Sequence, residues 1–395
     1  YIWYSGKLWR AVSVNNEAKT TKIVTQWNIS TINYSNESTA FEGSYMEEWL
    51  NDTTVDGFLG NLRNYESFVV TNTRWNATES TSSIKPPETT IVTKTVGLLN
   101  YYEYTMSYRG TTYEDGYLNN GLNWWGLTPH SASNLWGINN DGSVSDNYPM
   151  NDNGVRPSIV LKSDIKIVNG NGTEEDPYRL EGNNDTISSG TLLSSRYSGE
   201  YLTFGTGENN LYRIVSHENG TGTKITSANP LKDSVSFKTI SFGSNTTFSS
   251  DNTIGSFLNG EYLTSYVGNN YANMIEDNTT WYLGTVGSGT SYKLAKYTDT
   301  DMSSLTSVRT NAKVGLLRFG ELMAGQFDSY ENNNSYWTST PYSTSRIRSI
   351  ISNGDAYHEY PHTVIGIKPA LNLKQNVVIT SGDGTKNNPF TLSIQ

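Results

Sequence analysis

The residues whose spacing is sharpest for chemistry are His358-Glu359-Tyr360-Pro361-His362, which fit the H-E-x-x-H pattern of zinc hydrolases letter for letter. On a helix, imidazoles at i and i+4 share a face and hold one metal, while the glutamate serves as general base. Pro361 opposes that arrangement, because inside a helical turn it removes a hydrogen bond and clashes with the preceding carbonyl. The sequence therefore predicts a loop carrying two incidental histidines and no zinc centre.

Other arrangements are weaker. Asn139-Asn140-Asp141-Gly142-Ser143 with Asp146 resembles a calcium loop, but no glutamate stands at its twelfth position. A β-turn accounts for its glycine. Glu47-Glu48 and Glu174-Glu175 are adjacent carboxylates in polar contexts and read as surface charge. Gly284-Thr285-Val286-Gly287-Ser288-Gly289 lacks the lysine of a phosphate loop. The histidines are His130, His217, His358 and His362, and no triad order or nucleophile elbow accompanies them. Cysteine is absent, which excludes thiol nucleophiles, disulfides and thiolate metal sites. No catalytic or metal-ligating residue is assigned. No cofactor is expected, calcium being the one ion the oxygen-rich loops could take.

The elements that would position any site come from an internal repeat. Leu8-Trp9-Arg10-Ala11-Val12-Ser13 matches Leu211-Tyr212-Arg213-Ile214-Val215-Ser216, and Val96-Gly97-Leu98-Leu99 returns as Val314-Gly315-Leu316-Leu317. From Trp125 onward the offset is a constant 212: Trp125-Gly126-Leu127-Thr128-Pro129 aligns with Trp337-Thr338-Ser339-Thr340-Pro341. Val155-Arg156-Pro157 aligns with Ile367-Lys368-Pro369, and Gly172-Thr173 returns as Gly384-Thr385. Chance does not produce such a series. The chain reads as two copies of one globular domain, 1–182 and 191–395, joined by the polar segment 183–190.

Short β-branched runs predict strands at Ile23-Val24-Thr25, Phe68-Val69-Val70-Thr71, Thr90-Ile91-Val92-Thr93 and Ser158-Ile159-Val160-Leu161. Asn140-Asp141-Gly142 and Asn353-Gly354 predict hairpin turns. Helices are expected only at Ser44–Leu50, Gly255–Leu263 and Gly320–Ala324. The class is α+β, predominantly β.

The net charge of −10 makes nucleic acid a poor partner. No apolar stretch is long enough to span a membrane, and the chain opens directly in a strand pattern, so any leader or anchor is expected upstream. Tyrosine is abundant, at 27 residues, and asparagine more so, at 44, a mixture that suits adaptable recognition loops. Eleven N-x-[ST] sites occur, against about ten by chance from this composition.

The series Leu-Trp-Arg-x-Val-Ser, Val-Gly-Leu-Leu, Trp-x-x-Thr-Pro, Asn-(Asp)-Gly, Gly-[Val/Ile]-[Arg/Lys]-Pro and Gly-Thr-x-x-x-Pro-[Tyr/Phe] resembles uncharacterised extracellular domains of Firmicutes that often follow prepilin-type or other anchored N-termini. Its Trp-x-x-Thr-Pro and Gly-Val-Arg-Pro elements are also similar to the C-type-lectin-like fold of formylglycine-generating enzymes. That resemblance implies two tandem C-type-lectin-like domains. It carries no activity over, since those enzymes act through cysteines, and the calcium-lectin tripeptides Glu-Pro-Asn and Gln-Pro-Asp are missing too. The expected protein is therefore non-enzymatic and extracellular or at a cell surface, either an adhesin or a structural subunit of a pilus or filament. Its partners would be a surface protein or glycan, or further copies of itself. A carbohydrate-binding lectin is the first alternative and a carboxylate hydrolase the second. Binding, if it rests on exposed rings, is assigned to Tyr113, Trp124 and Trp136 in the first copy and to Tyr342 and Tyr357 in the second.

Overall fold

The computed structural model describes residues 1–110, 113–183, 187–218, 222–283, 309–324 and 335–395. Among the described residues strand accounts for 37% and helix for 13%, as the predominantly β expectation requires. The α-helices are short: α1 (Tyr45–Asn51), α2 (Tyr65–Phe68), α3 (Tyr101–Thr105), α4 (Thr253–Asn259) and α5 (Asn269–Ala272). No helix among the described residues is long and apolar enough to cross a membrane. Two compact units are present, one built on Tyr1–Asn183 and the other on the described residues from 187 onward apart from Asn353–Asp355.

Unit one contributes β1 (Ile2–Tyr4), β2 (Lys7–Asn15), β3 (Thr20–Thr25), β4 (Ser30–Asn33), β5 (Thr73–Asn76), β6 (Ile91–Lys94), β7 (Trp124–Pro129), β8 (Leu135–Ile138), β9 (Val144–Asn147), β10 (Asp152–Val155), β11 (Ser158–Leu161), β12 (Ile167–Asn169) and β13 (Tyr178–Leu180). They form a sheet in the order β11-β3-β2-β1-β13-β12, a second in the order β4-β10-β7-β8-β9, and the ribbon β5-β6.

Unit two contributes β14 (Thr191–Leu192), β15 (Tyr201–Thr203), β16 (Leu211–Glu218), β17 (Gly222–Ser227), β18 (Lys232–Asp233), β19 (Ser236–Phe237), β20 (Thr239–Ser241), β21 (Thr279–Tyr282), β22 (Arg309–Ala312), β23 (Val314–Leu316), β24 (Tyr336–Pro341), β25 (Ile347–Ile350), β26 (Ala356–Glu359), β27 (Val364–Gly366), β28 (Pro369–Leu373), β29 (Val377–Ser381) and β30 (Thr391–Ile394). Its sheets run β15-β16-β17-β28-β23, β20-β27-β24-β25-β26 and β14-β29-β30, with ribbons β21-β22 and β18-β19.

The units repeat each other in detail. The sheets β4-β10-β7-β8-β9 and β20-β27-β24-β25-β26 share strand order and a single parallel pair, with Gly154 opposite Trp124 in one and Gly366 opposite Tyr336 in the other. The Leu-Trp-Arg-x-Val-Ser motif is a bulged strand in both, the register shifting between Ala11 and Ser13 and between Ile214 and Ser216. In Val-Gly-Leu-Leu the glycine lies flat against an indole. A Cβ on Gly97 would stand 2.4 Å from the Trp75 ring, and one on Gly315 would stand 2.6 Å from Trp281. Those indoles donate to Lys94 O and Ala312 O, each at 3.0 Å. Asn51 at the end of α1 donates to Val96 O and accepts from Val96 N–H, and Asn259 of α4 does the same with Val314. The helices thus anchor on the first residue of the same Val-Gly-Leu-Leu segment.

Apolar residues fill the interior of each unit. In unit one Val24, Leu99, Tyr104, Leu118, Trp124 and Ile138 pack together. In unit two the cluster includes Tyr212, Ile225, Phe257, Trp281, Trp337 and Leu371. Arg156 is buried beside the first cluster and donates to Thr25 O and Leu118 O, tying a loop to β3.

Two local expectations need correction. Phe68-Val69-Val70-Thr71 is not a strand: Val69 N–H closes the turn of α2 onto Tyr65 O, and Val69 makes only one bridge, to Leu161. Gly320–Ala324 is not a helix, because Gly320 and Met323 have φ of +75° and +71°, outside the right-handed helical region. Glu321 there accepts the Arg318 backbone N–H instead. The expected helix Gly255–Leu263 starts earlier, at Thr253 behind its Asn252 cap, and stops before Gly260.

Candidate binding surface

The hairpins β7-β8-β9 and β24-β25-β26 occupy equivalent places in the two units, and each carries stacked rings, with a partly exposed guanidinium added in unit two. The Thr-Pro motif builds the platform. Thr128 Oγ1 accepts from Tyr101 N–H at 2.9 Å, and Thr340 Oγ1 accepts from Phe319 N–H at 3.1 Å. An aromatic ring is thereby fixed beneath β8 or β25.

After the proline, one loop is used twice. His130 N–H and Ser131 N–H donate to Asn134 O, and Tyr342 N–H and Ser343 N–H donate to Arg346 O. Ser133 N–H donates to Ser131 Oγ, and Ser345 N–H to Ser343 Oγ. The hairpins close on Gly142 and Gly354, both at φ +90°, a left-handed geometry that suits glycine. These are the two predicted turns.

In unit two this frame stacks a column of groups. The Arg348 guanidinium is wholly buried, 4.4 Å from the Phe319 ring on one side and 4.7 Å from Tyr342 on the other. Tyr342 stacks on His358 at 4.0 Å and 13°, and Tyr357 meets the same imidazole at 4.8 Å and 24°. Beside the column, Arg346 donates to Tyr360 Oη at 3.0 Å and lies over its ring, and His362 stacks on Tyr360 at 5.5 Å. Tyr357 is 45% exposed and Tyr360 43%. The imidazole of His358 titrates below its ordinary range, first because it is half-buried and then because Arg346 and Arg348 repel a second positive charge. At neutral pH it is an uncharged flat ring.

Unit one holds the equivalent column with different chemistry. Tyr101 stacks on Trp136 at 4.5 Å, and the Trp136 indole donates to Ser80 O at 2.7 Å. The His130 ring meets the Trp136 indole edge-on, and its Nδ1 stands 4.0 Å from Asp146, which accepts from Asn134 at 2.7 Å. Register confirms the equivalence, since Trp136 faces Asp146 across β8-β9 as Arg348 faces His358 across β25-β26.

Of the residues singled out by sequence, Tyr342 and Tyr357 are brought together through His358, and Trp136 lies in the matching column. Tyr113 is exposed in a single turn, Tyr113–Asp115, outside the column. Trp124 has no exposed surface; it packs edge-on against Tyr104 under the Arg156 guanidinium, which removes it from any surface patch. Sequence reasoning missed Arg346, His358 and Tyr360 as members of one surface. His358 is not in a loop but on β26, so the helical geometry that two-histidine zinc binding requires is absent. The signal was available in the 212 offset, which aligns 130 with 342, 136 with 348 and 146 with 358.

Asp141 of the expected calcium loop is engaged by the Ser143 N–H and hydroxyl, which hold its carboxyl below its ordinary range. Among the described residues no three His, Asp or Glu side chains converge as a metal site. The glycine-rich run 284–289 lies outside the described residues. Stacked rings with one accessible guanidinium offer flat contact and a directional donor. No family model, curated protein or solved structure matches this chain.

Proposed function

We propose that the chain is a non-enzymatic, extracellular or cell-surface binding protein, an adhesin built from two C-type-lectin-like domains of residues 1–182 and 191–395, whose β24-β25-β26 hairpin surface takes a protein or glycan partner. The observation carrying this reading is the column Tyr342–His358–Tyr357 with Arg346 and Tyr360 at its side. Tyrosine and arginine are enriched among the residues that contribute most at binding surfaces, tyrosine because its stiff ring loses little entropy on contact and arginine because its planar guanidinium stacks and donates directionally. The negative ring face also suits the C–H face of a sugar or a prolyl ring. The test is an array of cell-surface glycans and matrix proteins probed with wild-type chain and Tyr357→Ala. Saturable binding weakened about tenfold by the substitution supports the reading, as the loss of a binding hot spot would. Binding indifferent to Tyr357 and Tyr360 contradicts it.

A filament subunit is a second reading, favoured by one observation. The edge strand β12 exposes Ile167 and Val168, at 56% and 59%, two apolar side chains at a sheet edge where another chain could pair. Concentration-dependent fibres lost in Val168→Lys are its expected outcome; unchanged monomers at all concentrations contradict it.

A further inference from the structure

Unit two contains a buried amine, carboxylate and amide that unit one does not fully share. Lys224 on β17 is directly opposite Asn372 on β28 in an antiparallel pair, so both side chains project from the same face of the sheet. Opposed Cβ atoms in such pairs are about 4.5–5.5 Å apart, within reach of a lysine ammonium. Both residues are buried, at 4% and 0% exposure. Lys224 Nζ is 2.9 Å from Glu321 Oε1 and lies 5.4 Å from the Trp281 ring, which closes the site. The Asn372 carboxamide is the anomaly: neither Oδ1 nor Nδ2 has a hydrogen-bond partner, although both are shielded from water. A buried amide left without partners is costly and calls for an explanation.

We propose that Lys224 and Asn372 become joined by an intramolecular isopeptide bond, with Glu321 as the proton carrier. Lys224 passes one proton to Glu321 across their contact, and the neutral amine attacks Cγ of Asn372. The protonated Glu321 donates a hydrogen bond to Oδ1 as charge develops there. A second Nζ proton is relayed to Nδ2, the Cγ–Nδ2 bond breaks, and ammonia departs, taking the carboxyl proton as ammonium. One ammonium and one amide become one secondary amide and one ammonium ion; nothing is oxidised or reduced. The desolvated setting favours a neutral amine. Burial works to raise the Glu321 carboxyl, but Arg318 and Lys224 outweigh it and hold the group below the ordinary carboxylate range. Arg318, 3.5 Å away and donating its own N–H at 3.0 Å, remains to neutralise the carboxylate once the lysine charge is gone.

Unit one provides an internal contrast. Lys22 pairs with Glu103 beneath Trp75, as Lys224 pairs with Glu321 beneath Trp281, but the residue facing Lys22 is Val160. Without a carboxamide there is no electrophile, so one link is expected per chain.

The experiment is intact-mass measurement of the fully denatured chain followed by peptide mapping. The expected result is a chain lighter than its sequence mass by one ammonia, with peptides bearing Lys224 and Asn372 recovered as a single joined species. Lys224→Arg and Glu321→Gln should restore the full sequence mass. Wild-type chain at its full sequence mass overturns the proposal. So does an ammonia loss that maps elsewhere, as succinimide formation at an Asn-Gly step would.

Discussion

At the scale of single residues, the two units are held to one design by contacts that leave no room for substitution. Gly315→Ala should destabilise the chain by about 1–3 kcal/mol, since its Cβ would have to displace the Trp281 indole from a packed position. Urea unfolding monitored by tryptophan fluorescence measures this, and Gly97→Ala should behave alike against Trp75. His358 gives a pH-dependent counterpart. Its folded-state pKa lies below the ordinary 6.5, so above that pH the ring is neutral in both states and costs nothing. As pH falls below 6.5, the unfolded chain takes up the proton more readily than the folded one, and stability is lost. The urea midpoint of wild type should therefore drop more between about pH 7.5 and about pH 5 than that of His358→Phe, which keeps the ring and removes the proton site. Equal drops would show that folding does not lower the His358 pKa.

At the scale of elements, helix and sheet meet through paired asparagines. Asn259 bonds both the N–H and the C=O of Val314, so Asn259→Ala would leave two backbone groups of a buried strand unpaired, at a cost of about 1–3 kcal/mol. The same change at Asn51 should cost a similar amount through Val96, and differential scanning calorimetry would register both. Much of this level was legible in the sequence. Ser158–Leu161 and Ile91–Lys94 are strands because their β-branched runs stand between breakers, and the Asn-Gly and Asp-Gly steps close hairpins as their chemistry requires. At Phe68–Thr71 the β-branched run is interrupted by the turn of α2, which Val69 closes onto Tyr65 O, leaving one bridge to Leu161. At Gly320–Ala324 the left-handed φ of Gly320 and Met323 breaks the helical pattern and sets Glu321 against Lys224, a partner distant in sequence. The stacked column was hidden because Tyr342 and His358 are 16 positions apart and meet only when β25 runs between their strands.

At the scale of the whole molecule, each unit encloses its own sheets and apolar cluster, and residues 1–183 expressed alone should unfold in one cooperative transition. A non-cooperative melt would show that unit one depends on the rest of the chain. The duplication was plain from the 212 offset, whereas the divergence between copies emerged from side-chain surroundings: Asp146 where unit two has His358, Trp136 where it has Arg348, Val160 where it has Asn372. Unit two thus gathers the ring column with its guanidinium groups and the buried amine–amide pair. The most direct measurement of the binding role is an equilibrium titration of immobilised array hits with wild type, Tyr357→Ala and Tyr360→Ala, beside unfolding curves of all three. The account predicts saturable wild-type binding, about tenfold weaker in each variant, with unfolding midpoints lowered only slightly because both rings are nearly half exposed. Variants that bind as tightly as wild type, or an array on which wild type binds nothing, would contradict it.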